Sequence, residues 1–596
     1  MTRGIIQRAR LAASGDGGYA LAVVIGIGLV MIIMIAASLS ITTSGVTRAD
    51  TDQDRIGAEA AAYAGVAEYQ SRLSNDSTYQ KFGNPASVFT VATGSRVSLP
   101  TGALTNPAFG LSASGSWADV PTGDATVPPT ASFRYEVDNS SYDRSGVVKI
   151  RSTGRVGNVT RTVVADLKQE GFINFLFLTD FETADPDLAG GTNCARYLWA
   201  TPTRGTDCDT INFLAVDTFN GPVHSNDQMT VCGSTFNGAV TSSSTKRPNY
   251  TRPSGCGSAR GQFGSGPLYH SVVPMPPTNA EMKKETRNDL SDDVPRPGCL
   301  YTGPTTITLL ASGKMNVVSP YTKFTRTAST KAGASKPAEC GTPGTASGSL
   351  GSVGGAEINV LDYNLIFVQN VPTASSDPNY WGTADPQNFT CNNRGSSSEG
   401  WSFGSGSTFT RYPLTNETIP STSASDAPAY GCKDGDAYVK GQLDGALTIA
   451  AENYVYVTGN ITYVDTAESI LGLVGNNAVW VWNPMNGSTS LIGDRGRTIN
   501  AALLSVAHTF MVQNHDKGSS NRGTLTINGA IAQKYRGTVS TSASGATSPS
   551  TGYAKNYNYD KRLLVTAPPK FLSPVSTTYG VTQFANVPAA FKPDGS

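Results

Sequence analysis

From Tyr19 to Leu39 the chain reads YALAVVIGIGLVMIIMIAASL, and no charged residue occurs between Asp16 and Arg48. About 20 apolar residues, each rising about 1.5 Å along a helix, span the hydrocarbon core of a bilayer. Arg3, Arg8 and Arg10 precede the run, so the positive-inside rule places the N-terminus in the cytoplasm and everything after Leu39 outside. This predicts a transmembrane helix over residues 19–41 in a single-pass protein of the cell membrane. A cleaved secretory signal is the rival reading. The run exceeds the roughly 7–15 residues of a signal's apolar region, and no small-x-small cleavage site precedes a polar mature start.

The rest of the chain has the composition of an exported protein. Lys and Arg together number 45 and so do Asp and Glu, so nothing points to nucleic acid as a partner. With 63 Gly and only 15% charged residues, the chain reads as β-rich with many turns, unlike a cytosolic helical enzyme. Its cysteines are Cys194, Cys208, Cys232, Cys256, Cys299, Cys340, Cys391 and Cys432, an even set that an oxidising compartment would pair. Many connectivities are open, and the spacing suggests the sequential pairs 194/208, 232/256, 299/340 and 391/432. Zinc is the rival, but there is no CxxC and only four His, so neither metal nor cofactor is expected.

Past the apolar run, TRADTDQDRIGAEAAAYAGVAEYQSRL at 47–73 predicts that the helix continues outside the membrane, over 42–77. Ile56, Ala60, Tyr63 and Ala67 recur at i, i+4, i+7 and i+11 and draw one narrow apolar stripe, with Asp50, Asp54, Glu59 and Arg72 on the other faces. The stripe suits either packing on the helix's own domain or contact with neighbouring helices. Residues 78–130 read as loops with short strands. Strands are predicted at Phe133–Val137, Val147–Thr153 and Thr160–Lys168, the last two joined by Arg155-Val156-Gly157-Asn158. A lone hairpin is marginal in water, so this meander needs the 47–73 helix as the other wall of a core. A small α+β domain over 78–168 follows.

The basic leader, the pair Gly17-Gly18 and the aromatic Tyr19 opening an apolar helix resemble the start of a type IV prepilin. The strings DRIGAEAAAYAGVAEY and VVKIRSTGRVGNVTRTVVADL are similar to those of PilX-type minor pilins, and GYAKNYNYDKRLLVTAPPKFLSP is similar to the closing segment of their large members. The resemblance implies a leader over 1–18, cut between Gly18 and Tyr19 by a prepilin peptidase. It further implies that the pilus assembly machinery packs the helix, through Val23, Ile25, Leu29, Ile33, Ile56 and Tyr63, against other pilin subunits. Major pilins carry a Glu at the fifth mature position, where this chain has Val23. An intramembrane carboxylate is kept only where it finds a partner. Its absence implies a subunit at or near a filament tip.

Beyond residue 168 the chain repeats itself. FNGPVHSN at Phe219–Asn226 returns as FNGAVTSS at Phe236–Ser243, and INGAIAQ at Ile527–Gln533 echoes both. Short β-rich runs between 447 and 527 are separated by Gly459-Asn460, Gly475-Asn476-Asn477 and Asn528-Gly529. Repeated short strands with Gly/Asn corners predict a right-handed parallel β-solenoid over 169–596, a β-sandwich being the alternative. Gly/Ser/Thr/Pro-rich insertions at about 248–297, 327–355 and 375–427 interrupt it, the first with a helical piece at 279–290, and a cap is expected at about 552–596. The fold class is therefore mainly β with a long N-terminal α-helix: a pilin-like helix and small antiparallel sheet, then the solenoid.

No GxSxG, HExxH or P-loop occurs. His224 beside Asn226 and Asp227 has the chemistry of a general base, but the second copy of its repeat has Thr241 there, which favours a structural role. His508 and His515, with Asp516, read as loop and wall residues. Asp434, Asp436 and Asp444 offer oxygen ligands for calcium but lack the EF-hand pattern, and a solvated turn is the plainer reading. Trp381, Trp401 and Trp482 could stack on sugars or sit half-buried in the wall. The expected function is a non-catalytic minor pilin, displaying a large domain at the cell surface or on the pilus for assembly initiation or adhesion to a glycan or protein. A signal-anchored adhesin and a membrane-tethered β-helix carbohydrate enzyme are the alternatives.

Overall fold

A computed structural model describes residues 19–595 apart from 103–104, 111–115, 122–127, 143–145, 170, 253–255, 257–261, 287–297, 327–337, 362–363, 395–398, 407–408, 421–427, 543–547, 565 and 573–578. The chain is mainly β and divides into two compact units. The first takes in the chain up to Ser140, Val148–Leu167 and Val581–Ser596; the second takes in Ser141–Val147 and Lys168–Gly580.

In the first unit, helix α1 runs from Tyr19 to Asn75. The expected leader and Gly18 lie outside the described residues, as do the side chains of Tyr19, Val23 and Ile25. Among the described residues no helix is long and apolar enough to cross a membrane. The second half of α1 packs on a five-stranded sheet in the order β1 (Ala118–Asp119), β2 (Ala131–Asp138), β3 (Val147–Val156), β4 (Val159–Gln169) and Tyr579–Val587. Strands β2 and β3 pair antiparallel, with Phe133 opposite Gly154 and Val137 opposite Ile150. Gly157, at φ 52°, makes the turn into β4. The last strand belongs to this sheet, so the segment expected as a cap at 552–596 divides: Ala554–Tyr559 pairs in the second unit, and the chain end returns to the first.

The face that α1 buries is made of Ala58, Ala61, Ala62, Val66, Tyr69 and Leu73. The stripe of Ile56, Ala60, Tyr63 and Ala67 points outward instead, Ile56 being 72% exposed. The reason is steric. Small residues on the inner face let the helix backbone approach β3, and a Cβ on Gly154 would lie 2.1 Å from the carbonyl oxygen of Ala58. Close approach, not bulk, makes this contact, so the stripe of larger residues is left on the outer face, where it could meet other helices, and the buried face escapes a search for large apolar residues.

The second unit is built on parallel ladders. One row of facing residues runs Cys299, Ile366, Ile449, Leu473, Leu503, Ile531, Phe177, Val223, Val240, each opposite the next in a parallel pair. All are buried in one core. A second row joins Tyr438, Tyr456, Trp480 and Met511. The spatial order is not the chain order, because the strand at Phe177–Phe181 stacks on Thr524–Tyr535, far later in sequence. At the other end of the ladder Thr305–Leu310, Lys314–Val318 and Ala356–Asn359 form an antiparallel meander.

The sequence repeats are equivalent positions in this stack. Ile527, Tyr557, Phe219, Phe236 and Phe263 face one another in turn, and the rings of Phe219, Phe236 and Phe263 stack at 5.4 and 5.2 Å. The Asn after Ile527, Tyr557, Phe219 and Phe236, with Asn500 after Ile499 on the next rung, forms an amide ladder along the surface: Asn237 donates to Asn220 (2.8 Å), Asn220 to Asn558 (2.9 Å), Asn558 to Asn528 (3.1 Å) and Asn528 to Asn500 (2.9 Å). The disulfides are Cys194–Cys208, Cys232–Cys256, Cys299–Cys340 and Cys391–Cys432. Such a set belongs to an extracellular or periplasmic protein. Of the helical piece expected at 279–290, Asn279 precedes the helix, Ala280–Lys283 is α-helical and Lys284–Thr286 is a 3-10 turn, while 287–290 lie outside the described residues.

Candidate functional site

The outer surface of α1 is the feature with most to say about role. Ile27 and Leu29, Val30, Met31, Ile32, Ile33 and Met34 are all more than half exposed. Six consecutive residues cover more than one full helical turn, so the helix is apolar all round at this level. An exposed apolar surface of this extent marks an interaction surface. Farther along, Ile56 and Tyr63 continue an exposed apolar surface, the ring of Tyr63 meeting Phe584 edge-on at 5.1 Å. The first unit thus has one helix face closed on its sheet by Ala and Gly, and another left open.

In the second unit the residues singled out from sequence are tied into the fold. His224 is fully buried; its Nδ1 is 2.9 Å from Thr241 Oγ1 and its Nε2 2.9 Å from Asn226 Oδ1. The repeat's Thr241 is therefore the partner of His224. Asn226 donates to Asp180 (2.8 Å) and to the carbonyl of Val273 (2.8 Å). Asp227 accepts from Arg204 (2.6 Å) and from the backbone amides of Leu198 (2.7 Å) and Gln228 (2.8 Å). A second buried ion pair, Arg536 with Glu182 at 3.3 Å, lies close by, with the guanidinium 3.7 Å from the ring centre of Phe213. Burial pushes Asp180 up to about 6 and raises Glu182 and Asp227, against the pull of Asn226, Arg536 and Arg204 respectively. This is a closed network that binds strands together.

Asp434, Asp436 and Asp444 do not converge. Asp436 is fully buried and Asp434 half-buried, whereas Asp444 follows the seven-residue strand Ala437–Leu443, about 20 Å farther on. Burial, reinforced by the charges of Glu399 and Glu452, pushes Asp434 up to about 7, and burial with the Asp434 charge raises Asp436. Nor do Asp434 and Asp436 form a solvated turn: the insertion covers them, with Glu399 accepting from the Cys432 amide at 2.8 Å.

The tryptophans are wall residues. Trp401, on the antiparallel sheet Phe389–Asn392, Gly400–Phe403 and Thr410–Tyr412, is buried and donates to the Tyr438 hydroxyl at 3.1 Å. Trp482 donates to the Tyr430 hydroxyl at 3.1 Å, and Trp381 to the carbonyl of Tyr321 at 2.7 Å with Lys323 over its ring. His515 is half-buried and its imidazole is pushed down by burial. His508 faces Asp185 and Asp187, two carboxylates that no sequence motif marked. Among the described residues these three form the group able to hold a metal ion.

Compared with known proteins, the chain matches no family model and no curated protein. Among solved structures it aligns with the competence-associated pilin ComZ from Thermus thermophilus. Identity is 11% over 90% of this chain and 97% of that one, and the TM-score of 0.25 is too low to carry an argument.

Proposed function

We propose that this chain is a non-catalytic minor subunit of a type IV pilus or related filament, anchored by residues 19–41 before assembly, with its second unit displayed outside the cell. The observation that carries the reading is the all-round apolar exposure of Leu29–Met34 on a helix whose later half is closed on an antiparallel sheet. A pilin needs that division: one stretch for lipid and then for neighbouring helices, one stretch for its own head. The four disulfides support an outside location. The continuous parallel rows support reading the second unit as coils of a solenoid, each burying side chains on the next. The internal bonding of His224, Asp227 and Asp436 supports a binding or display role over catalysis. Val23, in place of the family's Glu, supports a tip position.

N-terminal sequencing of the protein from sheared surface filaments and from membranes tests this. The expected result is a start at Tyr19 and recovery in the sheared fraction. An intact Met1 confined to membranes would remove the pilin reading and favour a signal-anchored surface protein.

A further inference from the structure

We propose that Asp185, Asp187 and His508 form a binding site for one divalent transition-metal ion of the zinc class. The three come from two segments far apart in sequence, the turn after Phe177–Phe181 and the turn after Arg497–Ser505. His508 Nδ1 is 2.9 Å from Asp185 Oδ2 and 3.4 Å from Asp187 Oδ2, and the three donor atoms all lie within 4.8 Å of one another.

Two observations favour a cation over a simple ion pair. First, one ring nitrogen faces two carboxylate oxygens, and a single N–H shared between them would make one bond at 2.9 Å and only a weak one at 3.4 Å. An ion about 2.1 Å from each donor would see the two His–Asp pairs at angles of about 90° and about 110°, within the range of zinc coordination. Second, the charge does not balance. Among the described residues no Lys or Arg lies within ion-pair distance of Asp185 or Asp187, although the Asp185 side chain is only 1% exposed. A divalent ion offsets two carboxylates where an imidazolium offsets one.

The donors are held in place before any ion arrives. Asp185 Oδ1 accepts from the backbone amide of Asp187 at 3.0 Å, which leaves Oδ2 for His508. The His508 amide donates to the carbonyl of Asn477 (3.0 Å) and its carbonyl accepts from Lys534 (3.1 Å), fixing the ring against the neighbouring ladder. Asp187 is half exposed, so water has access to complete the coordination shell. An imidazole with two carboxylates suits zinc and its first-row neighbours better than calcium, which takes six to eight oxygens. A bound ion would tie the segment of Asp185 and Asp187 to the turn that carries His508.

The test is calorimetric titration of the EDTA-stripped, detergent-purified full chain with zinc chloride, repeated on Asp187→Asn, His508→Ala and His270→Ala. The expected result is one equivalent bound by the wild type and by His270→Ala. Asp187→Asn should weaken binding by at least about tenfold, and His508→Ala should abolish it. Asp187 is on the surface, so its variant keeps the test valid even if His508→Ala does not fold. Absence of binding at about 100 µM zinc, or wild-type affinity in Asp187→Asn, overturns the proposal.

Discussion

Replacing Gly154 by Ala should loosen α1 from its sheet. A methyl group there would come 2.1 Å from the Ala58 carbonyl oxygen and 2.3 Å from the Ala62 amide nitrogen, roughly 1 Å inside van der Waals contact. Both obstacles are helix backbone, which cannot rotate aside, so the helix must shift as a body. At an unobstructed site Gly→Ala usually stabilises by about 0.4–1 kcal/mol through the unfolded chain. Here overpacking dominates, and a rigid obstacle puts the cost near the upper end of its range, about 3 kcal/mol. The contacts at risk are those of Ala58, Ala61 and Ala62 and the packing of Tyr69 on Tyr135, whose rings lie 5.2 Å apart. Hydrogen exchange on the full chain in detergent reads this locally: amides of residues 56–73 should exchange about 150-fold faster. Gly493→Ala, whose added Cβ would meet nothing within 4 Å, is the control and should leave α1 unchanged. Protection in Gly154→Ala within about threefold of wild type would refute the close-approach account.

Three further outcomes are expected. Glu417, bonded by the Tyr430 hydroxyl at 2.5 Å and the Leu414 amide at 2.8 Å, is pushed up to about 7 by burial. It therefore stays protonated in the fold over a range where the unfolded chain ionises. Its contribution, about 3 kcal/mol, is complete below about pH 4.5 and is lost as pH rises to about 7. The melting temperature should fall from pH 5 to pH 8, and that fall should shrink in Glu417→Gln; an unaltered pH profile in the variant contradicts this. Asn528→Ala removes two rungs of the amide ladder and should cost about 1–2 kcal/mol in urea unfolding, a midpoint equal to wild type showing that the ladder adds nothing. Replacing both Cys299 and Cys340 by Ser opens a loop with a sequence separation of 41 and should cost about 4 kcal/mol in the same assay; an unchanged midpoint would mean that burial alone holds the two segments.

What could be read from sequence was whatever has a local signature. The β2–β4 meander shows alternation and a Gly-Asn turn, and the FNG repeat shows equal side chains at equal places in neighbouring rungs. A further member of that stack was hidden because Tyr557-Asn558-Tyr559 keeps only the Asn, the one residue whose side chain the amide ladder requires. The buried face of α1 was hidden for the opposite reason. Ala58, Ala61 and Ala62 carry too little hydrophobicity to register, and the residue that makes them an interface, Gly154, lies on another element. Nothing local says that Phe177 stacks on Ile531 rather than on its neighbours in sequence, since any inward apolar residue of suitable size can occupy a rung. The Lys433-Asp434-Gly435-Asp436 string has the composition of an exposed turn, and its burial is imposed by an insertion whose own sequence is Gly- and Ser-rich. Asp185, Asp187 and His508 belong to the same class: three unremarkable polar residues that acquire a shared chemistry only once two distant turns are stacked. Local patterns report what each strand buries, whereas the sites arise from which strands meet, and only the second kind of fact separates a carboxylate in solvent from one facing an imidazole.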